Sequence, residues 1–155
     1  MNQKHTTMKQ TFAISLSRVL ESVYAFAALD YITVKERPEV LGRGQAQLLR
    51  KVILHCMATM IAELAPVAVG SSLIDHVDGD IITIDFDLPD SGNPWTHLRS
   101  SFESALAAEV MQVAWSGANT MLAGVYAEMA SHCMGALRAS ILGAKGFPGR
   151  IKPAA

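Results

Sequence analysis

The stretch LIDHVDGDIITIDFDLP, residues 73–89, is the part of the chain whose hydrophobic pattern is typical of β-strands. Apolar and polar positions alternate along its second arm, which is the period of a strand buried on one face. The apolar positions of this arm are Ile82, Ile84, Phe86 and Leu88. Asp78-Gly79 stands between the arms and suits a two-residue type I′ turn, because both turn positions need positive φ. The pattern predicts a β-hairpin over residues 73–88.

Hydrophobic residues elsewhere recur at spacings of three and four, which predicts helices. Residues 1–10 are polar and we expect a flexible lead-in, while residues 143–155 form a basic tail. The predicted fold is mainly α: a four-helix bundle in one domain over residues 11–142, with the β-hairpin inserted between helices 2 and 3. The expected helices run from about Thr11 to Ile32, Gln45 to Leu64, Trp95 to Trp115 and Thr120 to Leu142.

Each predicted helix carries an apolar stripe that we expect to face the core. Asn119, in the break at residues 116–119, is expected to cap helix 4. Helices 3 and 4 are also rich in alanine and glycine, which let helices approach closely, either within the chain or between subunits. The stripe of helix 1 is Phe12, Leu16, Val19, Leu20, Val23, Ala27 and Tyr31, and that of helix 2 is Leu48, Leu49, Val52, Ile53, Cys56, Met60 and Leu64. The stripe of helix 3 is Leu98, Phe102, Leu106, Val110 and Val113, and that of helix 4 is Leu122, Val125, Tyr126, Met129, Cys133, Leu137 and Ile141.

Composition changes this picture in one respect. The chain has 155 residues, of which 50% are hydrophobic and only 17% are charged. With so little charge to cover the surface, some apolar area is expected to lie against a partner. This is the first indication of an oligomer.

The net charge of -1 hides three blocks, which are basic over residues 1–54, acidic over residues 55–131 and basic again at the C-terminus. Such blocks suit contacts between copies or docking on a charged partner, although solvated faces of an ordinary fold would look the same. The candidate interface residues are those of the acidic hairpin and the basic tail: Asp75, Asp78, Asp80, Asp85, Asp87, Lys145, Phe147, Arg150, Ile151 and Lys152.

The two cysteines, Cys56 and Cys133, each lie in an apolar helical run, so we expect buried thiols in a reducing compartment. The polar N-terminus predicts no signal peptide. The window from Val52 to Leu73 is the most hydrophobic, but Glu63 and Pro66 interrupt it, and a membrane span is not favoured.

Candidate chemistry is sparse. His55-Cys56-Met57 recurs as His132-Cys133-Met134 and could hold copper or zinc, but adjacent helical residues point about 100° apart, which favours buried Cys and Met beside a partly exposed His. The hairpin aspartates could bind calcium, although their spacing does not match an EF-hand loop; like charges that protect a strand edge are the favoured interpretation. His97 with Asp90, or His76 with Asp75, could form an acid–base pair. We find no enzyme motif and expect no cofactor or metal.

The predicted order of elements, two helices, an acidic hairpin, two helices and a basic tail, resembles that of a known protein family. The residues that carry the resemblance are Leu88-Pro89, Leu98, Phe102, Trp115, Ala123, Tyr126, Leu137 and the closing segment 145–152. In these features the chain is similar to the small head–tail connector proteins of tailed phages and prophages, also called adaptor, head-completion or neck proteins. The versions found in Bacteroidetes phages are the most similar.

This resemblance implies a non-enzymatic virion protein that is assembled in the bacterial cytoplasm. Copies would form a homo-oligomeric ring between the portal and the tail or neck proteins, with DNA passing through the lumen without sequence-specific binding and with no membrane involved. Acidic residues in the lumen would repel the phosphate backbone of the DNA, so the DNA would not bind there. We hypothesise that the hairpin projects toward the lumen or the next ring and that the tail reaches a neighbouring protein.

Two alternatives stay open from the sequence. One is a small regulatory or ligand-binding helical bundle with a pocket among its methionines. The other is a membrane-active protein that uses residues 52–73.

Overall fold

The computed structural model describes residues 7–64, 72–73, 81–89 and 96–144. It confirms the predicted fold class, since the chain is mainly α with a small antiparallel sheet whose second and third strands lie between the second and third helices. In chain order the elements are β1 (Thr7–Ser15), α1 (Leu16–Val34), a 3-10 turn (Glu39–Leu41), α2 (Ala46–Leu64), β2 (Ser72–Leu73), β3 (Ile81–Pro89), α3 (Thr96–Trp115) and α4 (Thr120–Ala144).

The N-terminal segment is a strand, which corrects the prediction. Residues 7–10 belong to β1 rather than to a flexible lead-in, and the first helix begins at Leu16 rather than near Thr11. Ser15 is the last residue of β1 and the N-cap of α1. Its side chain caps the helix by accepting a hydrogen bond of 3.3 Å from the Arg18 backbone N–H. Residues 1–6 lie outside the described part of the chain.

The sheet has the order β1-β3-β2, so the acidic strand β3 is central and is paired on both sides. Ile14 lies opposite Ile82, and Phe12 lies opposite Ile84. Both residues of the first pair and Ile84 are buried, which confirms the predicted inward direction of Ile82 and Ile84. The side chains of Phe86 and Leu88, predicted to share that face, lie outside what the structure describes.

The strands β2 and β3 pair antiparallel, with Leu73 opposite Ile84. The predicted turn at Asp78-Gly79 and the predicted first residue of helix 3, Trp95, lie outside the described residues.

The centre of the fold is α3, which packs against α1, α2 and α4, whereas these three have few direct contacts with one another among the described residues. Ala105, Ala107 and Ala108 are fully buried on different sides of α3. Because alanine has only a methyl side chain, neighbouring helices can approach α3 from several directions. The bundle is therefore arranged around one helix, and α4 has one covered side.

The helix ends largely agree with the prediction, but several inward assignments do not. Asn119 caps α4 as expected, with its Oδ1 accepting a hydrogen bond of 3.1 Å from the Leu122 N–H. The last helix extends to Ala144, two residues past the predicted end, so residues 143 and 144 are not part of a tail. Five residues that were predicted to face the core are exposed: Tyr31, Leu48, Val113, Val125 and Met129. Buried residues that the predicted stripes did not include are Met57, Ile61, Met111, Trp115 and Met134.

Candidate functional site

Three helices meet at the carboxylate of Asp30. Its Oδ2 accepts one hydrogen bond of 3.0 Å from Trp115 Nε1 and one of 2.7 Å from the Tyr126 hydroxyl. Phe26 packs against Tyr126 in an edge-to-face contact with ring centroids 5.5 Å apart. Burial, together with the hydrogen bond to Asp30, raises the pKa of Tyr126. The hydroxyl therefore stays protonated and donates its hydrogen bond, and the shared Asp30 oxygen links α1, α3 and α4.

A second polar contact fixes the strand-to-helix junction. Glu103 of α3 is mostly buried, and its Oε2 accepts hydrogen bonds from the Ser15 backbone N–H at 3.1 Å and from Arg18 Nε at 3.3 Å. The Arg18 Nη2 lies 3.2 Å from the same oxygen. One carboxylate oxygen thus holds the end of β1 and the first turn of α1 against α3, which is a structural role.

Cys56 lies in the core and is not an activated nucleophile. Burial, with a smaller contribution from the charge of Glu109, raises the pKa of Cys56 to about 12. Because the thiolate is the reactive form, a thiol with this pKa is inert at neutral pH. Burial and the charge of Glu63 also raise the pKa of Glu109, while Glu63 itself lies 3.4 Å from Arg138 Nη2 of α4.

The two His-Cys-Met segments differ in how far their side chains are buried. His55 and His132 are both exposed, whereas Cys56, Met57 and Met134 are buried. This agrees with the favoured interpretation at the first segment, whereas Cys133 of the second is half-buried, so the prediction that both thiols are buried holds for Cys56 only. Among the residues that the structure describes, no three metal-ligating side chains are close enough to hold an ion.

Of the ten predicted interface residues, Asp85 and Asp87 lie in the described part of the chain. Asp85 and Asp87 lie in β3, where their register partners on β1 are Thr11 and Lys9. Asp85 also lies opposite Ser72 of β2, so the interpretation that it protects a strand edge is wrong for this residue. The remaining predicted interface residues lie outside the described ranges: Asp75, Asp78, Asp80, Lys145, Phe147, Arg150, Ile151 and Lys152.

A cavity of about 290 Å³ lies between the C-terminal half of α1 and the loop that leads into α2. Its lining includes Tyr24, Leu41 and two arginines, Arg37 and Arg43. The Arg37 guanidinium also stands 5.4 Å from the ring centre of Tyr31. Three of the methionines, in contrast, lie deep in the core; Met57, Met60 and Met111 are at most 2% exposed, so they do not line an open pocket.

Two apolar surfaces remain on the outside of the helices. On α1 the side away from α3 carries four exposed apolar residues, which we call the α1 outer patch: Ala25, Ala28, Leu29 and Ile32. On α4 the side away from α3 carries six exposed residues, which we call the α4 outer stripe: Met121, Val125, Glu128, His132, Gly135 and Ala139. Leu29, Ile32 and Met121 are 62%, 67% and 69% exposed, respectively. The helices described in the structure are too short or too polar to span a membrane.

Sequence reasoning missed both surfaces for a physical reason. Apolar and small residues surround α4 on every side, so periodicity alone does not select the face that packs on α3. The signal that could have found the stripe is its spacing of four, three, four, three and four, which is the spacing of a helix–helix seam.

Comparison with known proteins gives no relative for this chain: no family model, curated protein or solved structure matches it.

Proposed function

We propose that this chain is a non-catalytic structural subunit that assembles with copies of itself into a ring, and that the ring is a head–tail connector of a tailed phage. In this proposal the ring sits between the portal and the tail or neck proteins, DNA passes through its lumen, and the protein ends in the virion. The resemblance in element order and residues supplies the virion assignment, and exposed apolar surface supports self-assembly.

The observation that carries the self-assembly is the α1 outer patch. Leu29 and Ile32 are each more than 60% exposed, although both are large apolar side chains on a helix whose other side is fully covered. Burying a side chain of this size contributes about 1.5–3 kcal/mol, so two of them per contact are a substantial driving force for association. A ring repeats one contact between two different surfaces, and we assign the patch to one side of it.

The charge distribution supports a lumen that does not hold DNA. Asp85 and Asp87 stand in the central strand of the sheet, and the predicted hairpin turn is acidic as well. Acidic groups repel the phosphate backbone and release no counterions on contact, so they favour free passage of DNA. The basic residues of the C-terminal segment are the proposed contact with a neighbouring protein.

The test is the mass of the purified full chain, alone and mixed with the portal protein encoded in the same genome. We expect a ring in the mixture, and Ile32→Glu should prevent it while Ser22→Glu, an exposed position earlier on α1, should leave it intact. Circular dichroism of Ile32→Glu shows whether a variant that does not assemble is a folded monomer or an unfolded chain. A wild-type protein that stays monomeric in the mixture would contradict the proposal.

The cavity beside Arg37 and Arg43 favours a second candidate, a small ligand-binding helical protein. Two arginines in the lining of an opening of about 290 Å³ suit a small anion such as a phosphate or carboxylate. Native mass spectrometry of the purified protein would reveal a retained small molecule, and Arg43→Gln should release it. A protein without bound ligand, and without a thermal shift in phosphate or citrate, would rule this candidate out.

A further inference from the structure

The α4 outer stripe is self-complementary when two helices run in opposite directions. If the stripe is placed against a second copy of itself about a two-fold axis beside residue 130, Met121 meets Ala139, Val125 meets Gly135 and Glu128 meets His132. Each large apolar side chain then faces a small residue, and each acid faces an imidazole. We propose that this stripe is the contact surface of a two-fold, antiparallel dimer of the chain.

The glycine of the stripe is unexplained within one copy. A methyl group placed on Gly135 would meet no heavy atom within 4 Å, and the same is true of Gly124 beside the stripe. Glycine inside a helix is destabilising relative to alanine, and α4 carries both glycines in its interior. No close contact within the described chain requires that cost, whereas a second helix packed at the short end of the usual 8–10 Å axial separation would.

The polar pair at the centre of the stripe gives the contact its direction. Glu128 and His132 are exposed and take part in no ion pair among the described residues. In a parallel pairing each residue would face its own copy, so two glutamates would meet. Only the antiparallel arrangement places an acid against an imidazole at both positions, and like charges in contact are strongly disfavoured.

The size of the stripe sets the expected strength. From residue 121 to residue 139 the helix is about 27 Å long, which gives a contact at the small end of protein interfaces. We therefore expect a dissociation constant on the order of micromolar, and a dimer that forms only at higher concentration.

This dimer is distinct from the ring contact proposed above. An isologous contact closes at two copies and cannot join successive neighbours around a single ring. It therefore describes the free protein, uses α4 rather than the α1 outer patch, and can hold or fail independently of the connector assignment.

Sedimentation of the full chain over a concentration series tests the charge pairing. His132→Glu places glutamate opposite glutamate and should weaken dimerisation by roughly tenfold or more, as Glu128→His should to a lesser degree. The exchange variant carrying both substitutions restores opposite partners and should recover the wild-type constant. Wild-type protein that stays monomeric throughout, or an exchange variant no better than His132→Glu, would overturn the proposal.

Two further variants separate packing and direction from any effect on folding. Gly135→Leu should abolish the dimer without lowering the thermal midpoint, while Gly117→Leu, which also meets no neighbouring atom but lies outside the stripe, should leave it unchanged. With Cys133 replaced by Ser, a chain carrying Val125→Cys and Gly135→Cys should form a disulfide-linked dimer on mild oxidation, whereas Val125→Cys alone should not. Efficient linking of the single variant would show a parallel contact and refute the antiparallel one.

Discussion

Tyr126 and Asp30 belong to the fourth and first helices, and the tyrosine hydroxyl donates a hydrogen bond of 2.7 Å to the aspartate Oδ2. The same oxygen also accepts from Trp115 Nε1 at 3.0 Å. Because α1 and α4 have few other direct contacts, this carboxylate is a main connection between them. Without it, the edge-to-face contact between Phe26 and Tyr126 would remain between the two helices.

Tyr126→Phe should lower the free energy of unfolding by about 1–3 kcal/mol, since it removes a hydrogen bond to a charged, part-buried acceptor. Chemical denaturation monitored by circular dichroism measures the change. Tyr24→Phe is the matched control, because Tyr24 is 43% exposed, and it should change stability by no more than about 0.5 kcal/mol. Equal effects of the two variants would show that the Asp30 cluster contributes nothing.

Ile84→Ala should destabilise the protein by about 2–5 kcal/mol, because the side chain is fully buried in the central strand and truncation leaves a cavity. Ile81→Ala in the same strand provides the control, since Ile81 is 48% exposed and its loss should cost far less. Both values come from denaturant unfolding. If the two substitutions were equally tolerated, the sheet could not be packed on the helices as described.

Glu109→Gln should stabilise the protein at neutral pH. Burial and the charge of Glu63 raise the pKa of Glu109 above its ordinary value of 4.5, so the charged form is less favourable in the folded protein than in the unfolded chain. Stability from this group is therefore present below pH 4.5 and is lost as pH rises through the higher folded-state pKa. Glutamine removes the buried charge, so the gain should shrink as the pH is lowered.

The measurement for Glu109→Gln is a series of thermal midpoints against pH, with the exposed Glu21→Gln as the control. A gain that is the same at pH 4 and pH 7 would mean that the charge of Glu109 is not its cause.

Cys56 should react with a thiol reagent far more slowly than Cys133 in the folded protein. With its pKa raised to about 12, roughly one Cys56 in ten thousand is a thiolate at pH 8, and the residue is also buried, whereas Cys133 is half-buried. Mass spectrometry of the modified protein follows both sites, and denaturant should make their rates similar. Fast labelling of Cys56 in native protein would contradict its place in the core.

The sequence predicts the local features of this fold well, because local chemistry determines them. Asn119 and the small residues before it mark the start of α4, and the alternation around Ile84 marks a strand. The N-terminal strand was missed since Phe12, Leu16 and Val19 also fit a helical spacing, and only pairing with a distant strand decides between the two.

The sites are harder to predict than the elements. Nothing near Asp30 in the sequence indicates that Trp115 and Tyr126 will share its oxygen, because the three residues meet only through the packing of three helices. The outward direction of Val125 was equally hidden, as α4 is apolar on both its covered and its uncovered side. The acidic cluster was visible from the sequence, but the central position of its strand was not.

The pairing of β1 with β3 has a consequence for how the chain matures during translation. The first strand leaves the ribosome long before its partner is synthesised, because two complete helices separate them. Until then its backbone donors and acceptors are open to other chains or to chaperones. Completion of the sheet is thus a late, long-range step in folding. A chain truncated through Ser15 would lack β1, and β3 would lose the strand that pairs along its whole length.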